Sequence, residues 1–341
     1  MQNRLKTYTR KDIAAYIRVR KGELKLGEKI SLFNTQSSIE DQLLASKTKY
    51  VILGIPEDAG VIGNFGKKGA RFAWEATMRT LLNVQHNDLN KGNKLFLLGY
   101  LDFQKELEQL EQMEKAQQDY IQYAREITQE IDKQVTYLVH IIVQAGKIPV
   151  IIGGGHNNSY GIIKGCALAL NQPLNVLNLD AHTDFRPREG RHSGNGFSYA
   201  YYEGFLKKYF IFGLHESYTS KAVFDVIEKE KDNIRYTSYE ELEVKRTKGI
   251  PYQINIIQDF IAKNYFGIEV DCDVIQNVPS SAMSPSGLTL EQTRHMVYTL
   301  GKNKNVKYLH VCEAAPDPNS ELQLSMIGKL ISYIVCDFTR K

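Results

Sequence analysis

The sequence predicts an α/β protein with a mostly parallel sheet covered by helices on both faces. Three observations lead there. Short apolar runs alternate with longer helix-like segments, the pattern of a sheet whose crossovers are helices. The apolar runs are nearly unbroken, as strands covered on both sides require. Three of them end abruptly in acids, imidazoles or glycines, and the carboxyl edge of such a sheet is where sites are built.

In chain order, strands are predicted over residues 50–54, 95–98, 148–152, 174–179, 209–213, 266–270 and 307–312. Helices are predicted over 69–83, 105–145, 159–170, 220–231, 251–263, 289–301 and 321–338. The 105–145 stretch starts polar and becomes apolar around 135–143. Its first half reads as a solvated helix face and its second as a packed helix, with room for a break between them. Residues 1–48 lack a clean strand and read as a helical extension packed on the rest. No internal repeat, low-complexity segment or Pro/Gly-rich linker interrupts the 341 residues, so 1–341 read as one domain.

A hydrophobic content of 43% is that of a globular protein with a real core. The net charge of +4 is small and dispersed, which argues against a nucleic-acid partner. No apolar run approaches the roughly 18 residues needed to span a bilayer, so no membrane partner is expected. Met1 to Lys6 is not followed by the apolar stretch of a secretory signal. Cys166, Cys272, Cys312 and Cys336 form no CxxC pair and sit in apolar surroundings, as buried free thiols do. Together these features point to a cytoplasmic protein.

The most informative stretch is Asn178-Leu179-Asp180-Ala181-His182-Thr183-Asp184. Two carboxylates and an imidazole occupy every second residue after an apolar run. Positions two apart share a side wherever the strand continues. Three such groups crowded at a strand end are costly unless a divalent cation offsets their charge. Two other runs supply matching parts. Residues 148–152 lead into Gly153-Gly154-Gly155-His156, and residues 266–270 lead into Asp271-Cys272-Asp273. Cys272 points away from its neighbours and reads as a core residue.

The candidate ligands are therefore His156, Asp180, His182, Asp184, Asp271 and Asp273. They exceed the needs of one tetrahedral zinc. Hard oxygens with some nitrogen suit manganese, and iron, cobalt or nickel less well. Four aspartates balance the charge of two divalent ions. Such a pair, roughly 3.5 Å apart, can share a water and lower its pKa toward neutrality. Each motif alone has a plainer reading, since acids at strand ends and Gly-rich turns are common. Their order, and their shared placement after apolar runs, argues for one site.

GGGH, DAHTD and DxD, in that order and after those runs, resemble the ureohydrolase family, which includes arginase, agmatinase and formimidoylglutamase. The resemblance covers about residue 50 to the C-terminus. It implies a three-layer α/β/α sandwich, two Mn2+ ions per subunit, and hydrolysis of an amidine or guanidine C–N bond in a small-molecule substrate. It also implies a homo-oligomer. Carried across by motif, His156, Asp180, Asp184 and Asp271 would hold one ion. His182, Asp180, Asp271 and Asp273 would hold the other, with Asp180 and Asp271 bridging. Asp184 would also accept a hydrogen bond from the attacking water. Glu313, after the last predicted strand, looks like the family glutamate that pairs with the cationic amidine. A carboxylate there can hold a planar N–C–N group by two hydrogen bonds.

Three arginines, Arg186, Arg188 and Arg191, follow DAHTD closely. Arginine forks suit carboxylates, and formimidoylglutamate has two. The GGGH form, Arg186, the Ser193 to Phe197 run and Gly54-Ile55-Pro56-Glu57-Asp58-Ala59-Gly60-Val61 are most similar to formimidoylglutamase, an enzyme of histidine metabolism. Arg186 is the first choice for a substrate carboxylate, with Ser193 and Asn195 as companions. Arg188 and Arg191 read as a solvated loop. Phe197 falls near the place of the arginase histidine shuttle, and His192 is the displaced candidate for that role. Residues 274–287 depart from the family's Asp-Pro and Gly-Thr-Gly-Thr-Pro-like loop. Residues 213–218 are expected to form the opposite pocket wall. The rival readings are a guanidino hydrolase releasing urea and a metal-binding homologue with weak or no turnover.

Overall fold

A computed structural model describes residues 4–113 and 119–340. Its strands are β1 (Leu5–Lys6), β2 (Ser31–Leu32), β3 (Tyr50–Gly54), β4 (Leu95–Leu101), β5 (Ile148–Ile152), β6 (Leu174–Leu179), β7 (Leu206–Leu214), β8 (Ile234–Ser238), β9 (Phe266–Asp271) and β10 (Val306–Cys312). They form one sheet in the order β1-β4-β3-β5-β10-β9-β6-β7-β8, with β2 also paired to β4. β1 runs antiparallel to β4, and every other strand pair is parallel.

Strand alternation sends neighbouring side chains to opposite faces. Tyr50 and Ile52 of β3 join one hydrophobic cluster, and Val51 and Leu53 join the other. The first cluster is closed by the helices Ala73–Leu81, Ile250–Phe260, Leu290–Gly301 and Glu321–Thr339. The second is closed by Asp119–Gln144, Asn158–Leu170 and Gly196–Tyr202. This is the three-layer α/β/α sandwich expected from the sequence. Several helix starts carry side-chain caps. Thr289 and Gln292 form a capping box, and Ser220 and Ser320 cap their helices. No helix among the described residues is long and apolar enough to cross a membrane.

Several elements differ from the sequence reading. Residues 4–48 hold helices over Arg10–Tyr16, Leu26–Lys29 and Ile39–Ala45, but also the two short strands β1 and β2. Two-residue strands leave no periodic signal. Strand β8 escaped notice because Arg235 and Tyr236 interrupt its apolar character at the sheet edge. The short helices Ala59–Gly63 and Gly196–Tyr202 were also not expected. In the 105–145 stretch one helix ends at Gln112 and the next is described from Asp119. The helix from Asp119 runs unbroken to Gln144, through the middle of the stretch where a break had room, and residues 114–118 lie outside the described residues.

The strand order fixes where the chemistry falls. The four adjacent central strands β5, β10, β9 and β6 end at His156, Glu313, Asp271/Asp273 and Asp180–Asp184 respectively. Parallel pairing brings all four carboxyl ends to one edge.

Candidate metal centre

After β5 the chain turns sharply through Gly153 and Gly154, at φ of 90° and 73°. A Cβ on Gly154 would lie 2.6 Å from the Ile55 carbonyl and 2.7 Å from Glu57 Oε1. The turn is held from outside by buried Glu57, which accepts the Gly155 N–H at 2.8 Å and the Asn158 amide at 2.8 Å. Burial pushes the Glu57 carboxyl up to about 7, against the hydrogen bonds it receives. His156 emerges from this turn fully buried.

Its Nδ1 lies 2.8 Å from Asp184 Oδ2, 3.1 Å from Asp271 Oδ2 and 3.3 Å from Asp180 Oδ2. A second group joins it through Asp180. His182 Nδ1 is 2.9 Å from Asp273 Oδ2 and 3.6 Å from Asp180 Oδ1. The donor atoms of His156, Asp180, Asp184 and Asp271, and separately of Asp180, His182 and Asp273, are each close enough to share an ion. The six sequence-nominated side chains thus come together in two groups that overlap at Asp180. Asp271 belongs only to the first group, where the resemblance made it a bridge as well.

The acids are oriented by neighbours. Asn178 donates to Asp180 Oδ2 at 2.8 Å and to the Tyr209 hydroxyl, which itself donates to the Thr183 carbonyl. The Asp273 N–H donates to Asp271 Oδ1 at 2.9 Å. Strand alternation does not produce the convergence at DAHTD. β6 ends at Leu179, and Asp184 sits in the left-handed region at φ 43°. Glu313 does so too, at φ 60°. Strained non-glycine residues gather where function over-determines the backbone.

The electrostatics fit a cation. Burial and then the Asp180 charge push the Asp184 carboxyl up to about 6. Burial and the charges of Asp273 and Asp180 raise Asp271 well above the ordinary range. Burial opposes charge on His156, but Cys312 and the three aspartates outweigh it and raise its pKa well above the usual value. Against burial, Asp180 is held below its ordinary range by His156 and His182. Buried His156 Nδ1 makes no hydrogen bond despite these short distances, and buried Asp273 Oδ1 makes none either. Orphaned donors of mixed oxygen and nitrogen type, crowded within a few ångströms, fit divalent cations.

A cavity of about 730 Å³ opens over the cluster, within the range of small-molecule sites. His182, Asp184, Asp271, Asp273 and Glu313 line it, and of these Asp271, Asp273 and Glu313 are buried. Glu313 accepts the His156 N–H at 2.8 Å and the Ser281 hydroxyl at 2.5 Å. With only protein charges around it, burial lifts its carboxyl to about 8. The exposed Arg186 and Arg188 and the buried Ser193 line it as well. Arg186 is half exposed and donates to Asn64 Oδ1 at 2.8 Å, while Asn64 donates to Ser193 Oγ. Tyr218, from the expected opposite wall, also lines the cavity and stacks on His182.

Other expectations need correction. His192 is fully buried, does not line the cavity, and accepts the Gly194 N–H on Nδ1. Burial and the charges of Arg125, Arg186 and Arg191 drop its pKa to about 3, and its Nε2 lies 3.4 Å from Glu189 Oε1, so the structure places it in the loop and off the cavity wall. Asn195 is buried and spends its amide on Pro187, Gly190, Arg191 and His192, which leaves it nothing for a substrate. Arg191 is no solvated residue. It pairs with buried Asp132 at 2.8 Å and donates to the Asn157 carbonyl. Arg188 lies over the Tyr202 ring on the cavity wall. Sequence reasoning missed Asn64 and Ser281, which carry no motif. It also missed Glu269, whose signal was present as an acid inside an otherwise apolar strand.

This combination defines the class, an α/β/α hydrolase with a candidate metal centre at the carboxyl edge of its sheet. A model of the arginase family matches residues 48–336, and the chain belongs to that family. Formimidoylglutamase of Macrococcus caseolyticus is 26% identical over 291 residues, spanning 83% of this chain and 82% of that protein. Formimidoylglutamase of Legionella pneumophila is 23% identical over 316 residues, 89% of this chain and 88% of its own length. Among solved structures, Bacillus subtilis formimidoylglutamase superposes with a TM-score of 0.72 at 18% identity, covering 94% of this chain and 92% of that one. Trypanosoma cruzi formiminoglutamase with Mn2+ gives 0.70 at 18% identity, covering 94% and 100%. At such identity the structural likeness speaks for the fold.

Proposed function

We propose that the chain is a dinuclear manganese hydrolase that cleaves an amidine C–N bond, converting N-formimidoyl-L-glutamate and water to L-glutamate and formamide. The observation that carries this reading is the pair of acid–imidazole groups sharing Asp180, set against a cavity that Arg186 also lines. The names of the relatives support the substrate.

His156, Asp180, Asp184 and Asp271 would hold one ion, and Asp180, His182 and Asp273 the other. When bound, two such ions supply a water acidic enough to react near neutral pH and charge stabilisation for a developing oxyanion. The remaining work falls to side chains. Glu313, already fixed by Ser281 and the His156 N–H, pairs with the cationic N–C–N group and sets its carbon over the acids. Arg186, braced by Asn64, takes a substrate carboxylate at the wetter end, with Ser193 beside it. Asp184 accepts a proton from the attacking water and returns it to the leaving amine. A cationic substrate such as agmatine would meet Arg186 and Arg188 without a carboxylate to satisfy them. A cytoplasmic homo-oligomer is part of the same reading.

Purified protein supplied with manganese is expected to release formamide from N-formimidoyl-L-glutamate. No turnover there, with clear urea release from arginine or agmatine, would overturn the substrate assignment. Asp184→Asn separates an enzyme from a metal-binding homologue, since it removes turnover only if there is turnover to remove.

A further inference from the structure

We propose that Glu269, braced by His310 and Tyr308, is the positioning residue that fixes the His156 ring with Nδ1 toward the metal ligands. The inference rests on the metal reading above and assigns a function to a buried acid that the mechanism does not use.

Glu269 lies mid-strand in β9, between β10 and β6, and is fully buried. An uncompensated carboxylate there would be very costly. It has two hydrogen-bond partners and one further close contact. Oε1 accepts the Tyr308 hydroxyl at 2.7 Å, and Oε2 lies 2.5 Å from His310 Nδ1. Oε2 also lies 3.5 Å from His156 Nε2, a buried nitrogen that makes no hydrogen bond. The pairing register sets His310 directly beside Glu269. Tyr308 reaches the carboxylate because residue 267 is glycine. A Cβ there would fall 2.0 Å from the Tyr308 ring.

His156 therefore has an acid on each side. Nδ1 faces Asp180, Asp184 and Asp271, and Nε2 faces Glu269. A ring that gives its Nδ1 lone pair to a cation must carry its proton on Nε2. Glu269 is the carboxylate that faces that nitrogen, close enough to take the proton's hydrogen bond once the ring is fixed by an ion. The Cys312 thiol, in the same cluster, donates to the Val270 carbonyl. Phe197 meets the His156 ring edge-on at 5.0 Å and closes another side. Carboxylates behind a ligating histidine set its tautomer and raise its basicity, and losing one costs 10- to 100-fold in metal affinity or activity in order of magnitude. His156, Glu269, His310 and Cys312 are also close enough to be read as a metal site themselves. The 2.5 Å contact between Glu269 and His310 is a direct hydrogen bond and leaves no place for an ion between those two atoms.

The test is Mn2+ binding to chelator-stripped protein, read as free Mn2+ by electron paramagnetic resonance, with no substrate present. Glu269→Gln keeps the shape and removes the charge. It is expected to weaken Mn2+ binding roughly 10- to 100-fold with a melting temperature of the stripped protein close to that of the parent. Nitrogen NMR of the Zn2+-loaded parent should show His156 protonated on Nε2. That measurement stands if the variant fails to fold. Unchanged affinity in a folded Glu269→Gln protein overturns the proposal, as does an Nε2-bound ion or a third Mn2+ per chain. Formamide release by the parent is scored separately. Mn2+ binding with the expected loss but no formamide would sink the substrate and keep the role of Glu269. A parent that binds no Mn2+ would sink both.

Discussion

Replacing Glu313 by glutamine tests the centre of the proposed chemistry with little structural disturbance. Glu313 is 3% exposed and receives two hydrogen bonds, from the His156 N–H and the Ser281 hydroxyl. A glutamine keeps an oxygen for the His156 N–H and turns its amide nitrogen to Ser281, whose hydroxyl rotates to accept. Packing volume and hydrogen-bond count survive, and the negative charge goes. If Glu313 holds the amidine cation, the loss is that of one partner of a buried, hydrogen-bonded charge pair, about 2–5 kcal/mol. At about 1.4 kcal/mol per factor of ten, kcat/KM should fall roughly 30- to 4,000-fold. The assay is formamide release at saturating Mn2+, with bound manganese and melting temperature measured on the same samples. A variant with parental manganese content and melting temperature, and kcat/KM within about threefold of the parent, would refute a role for Glu313 in holding the substrate.

Arg186→Gln is expected to raise KM for formimidoylglutamate about fivefold with kcat nearly unchanged, because its half-exposed guanidinium works in solvent. The effect should shrink as salt is added. In chelated protein, stability should fall as pH rises from about 5 to 8. Glu57, Asp184 and Glu313 have folded-state pKa values pushed up to about 7, 6 and 8, so the native state binds more protons than the unfolded chain across that window. Manganese should reverse the slope, which thermal melts with and without chelator would show. Gly154→Ala should cost at least about 1–2 kcal/mol from its left-handed backbone alone, measured by urea titration. It should also weaken manganese binding, because the added methyl presses on the Ile55 carbonyl and on Glu57.

The sheet was legible because its central strands are buried on both faces. Residues 50–54, 148–152 and 174–179 are apolar throughout or nearly so, and their strand limits match the structure. The edges were not legible. β8 carries an exposed arginine, and β1 and β2 are two residues each, too short for any period to register. The same limit applies to the site. The candidate ligands announced themselves because acids and imidazoles directly after apolar runs are conspicuous. Asn64 and Ser281, which brace the proposed substrate-binding residues, are ordinary polar residues in loops, and only the folded chain brings them to Arg186 and Glu313. His192 and Asn195 misled for the converse reason. Their residue types suit catalysis, yet the loop consumes their hydrogen-bonding capacity.

The DAHTD stretch shows where reasoning from alternation stops. Every-second-residue spacing brings side chains to one face only while the backbone stays extended. The strand stops at Leu179, one residue before the first acid. Asp180 instead turns back to accept the His182 N–H at 2.6 Å, and Asp184 adopts φ 43°. A continued strand would have carried Asp184 on by about 3.3 Å per residue, some four residues beyond Asp180. The turn keeps both within 3.3 Å of the same His156 nitrogen. The left-handed residue is thus the geometric condition for gathering Asp180 and Asp184 into one group. Aspartate is among the few residues that tolerate that conformation, so one residue type meets both the charge and the backbone demand at position 184.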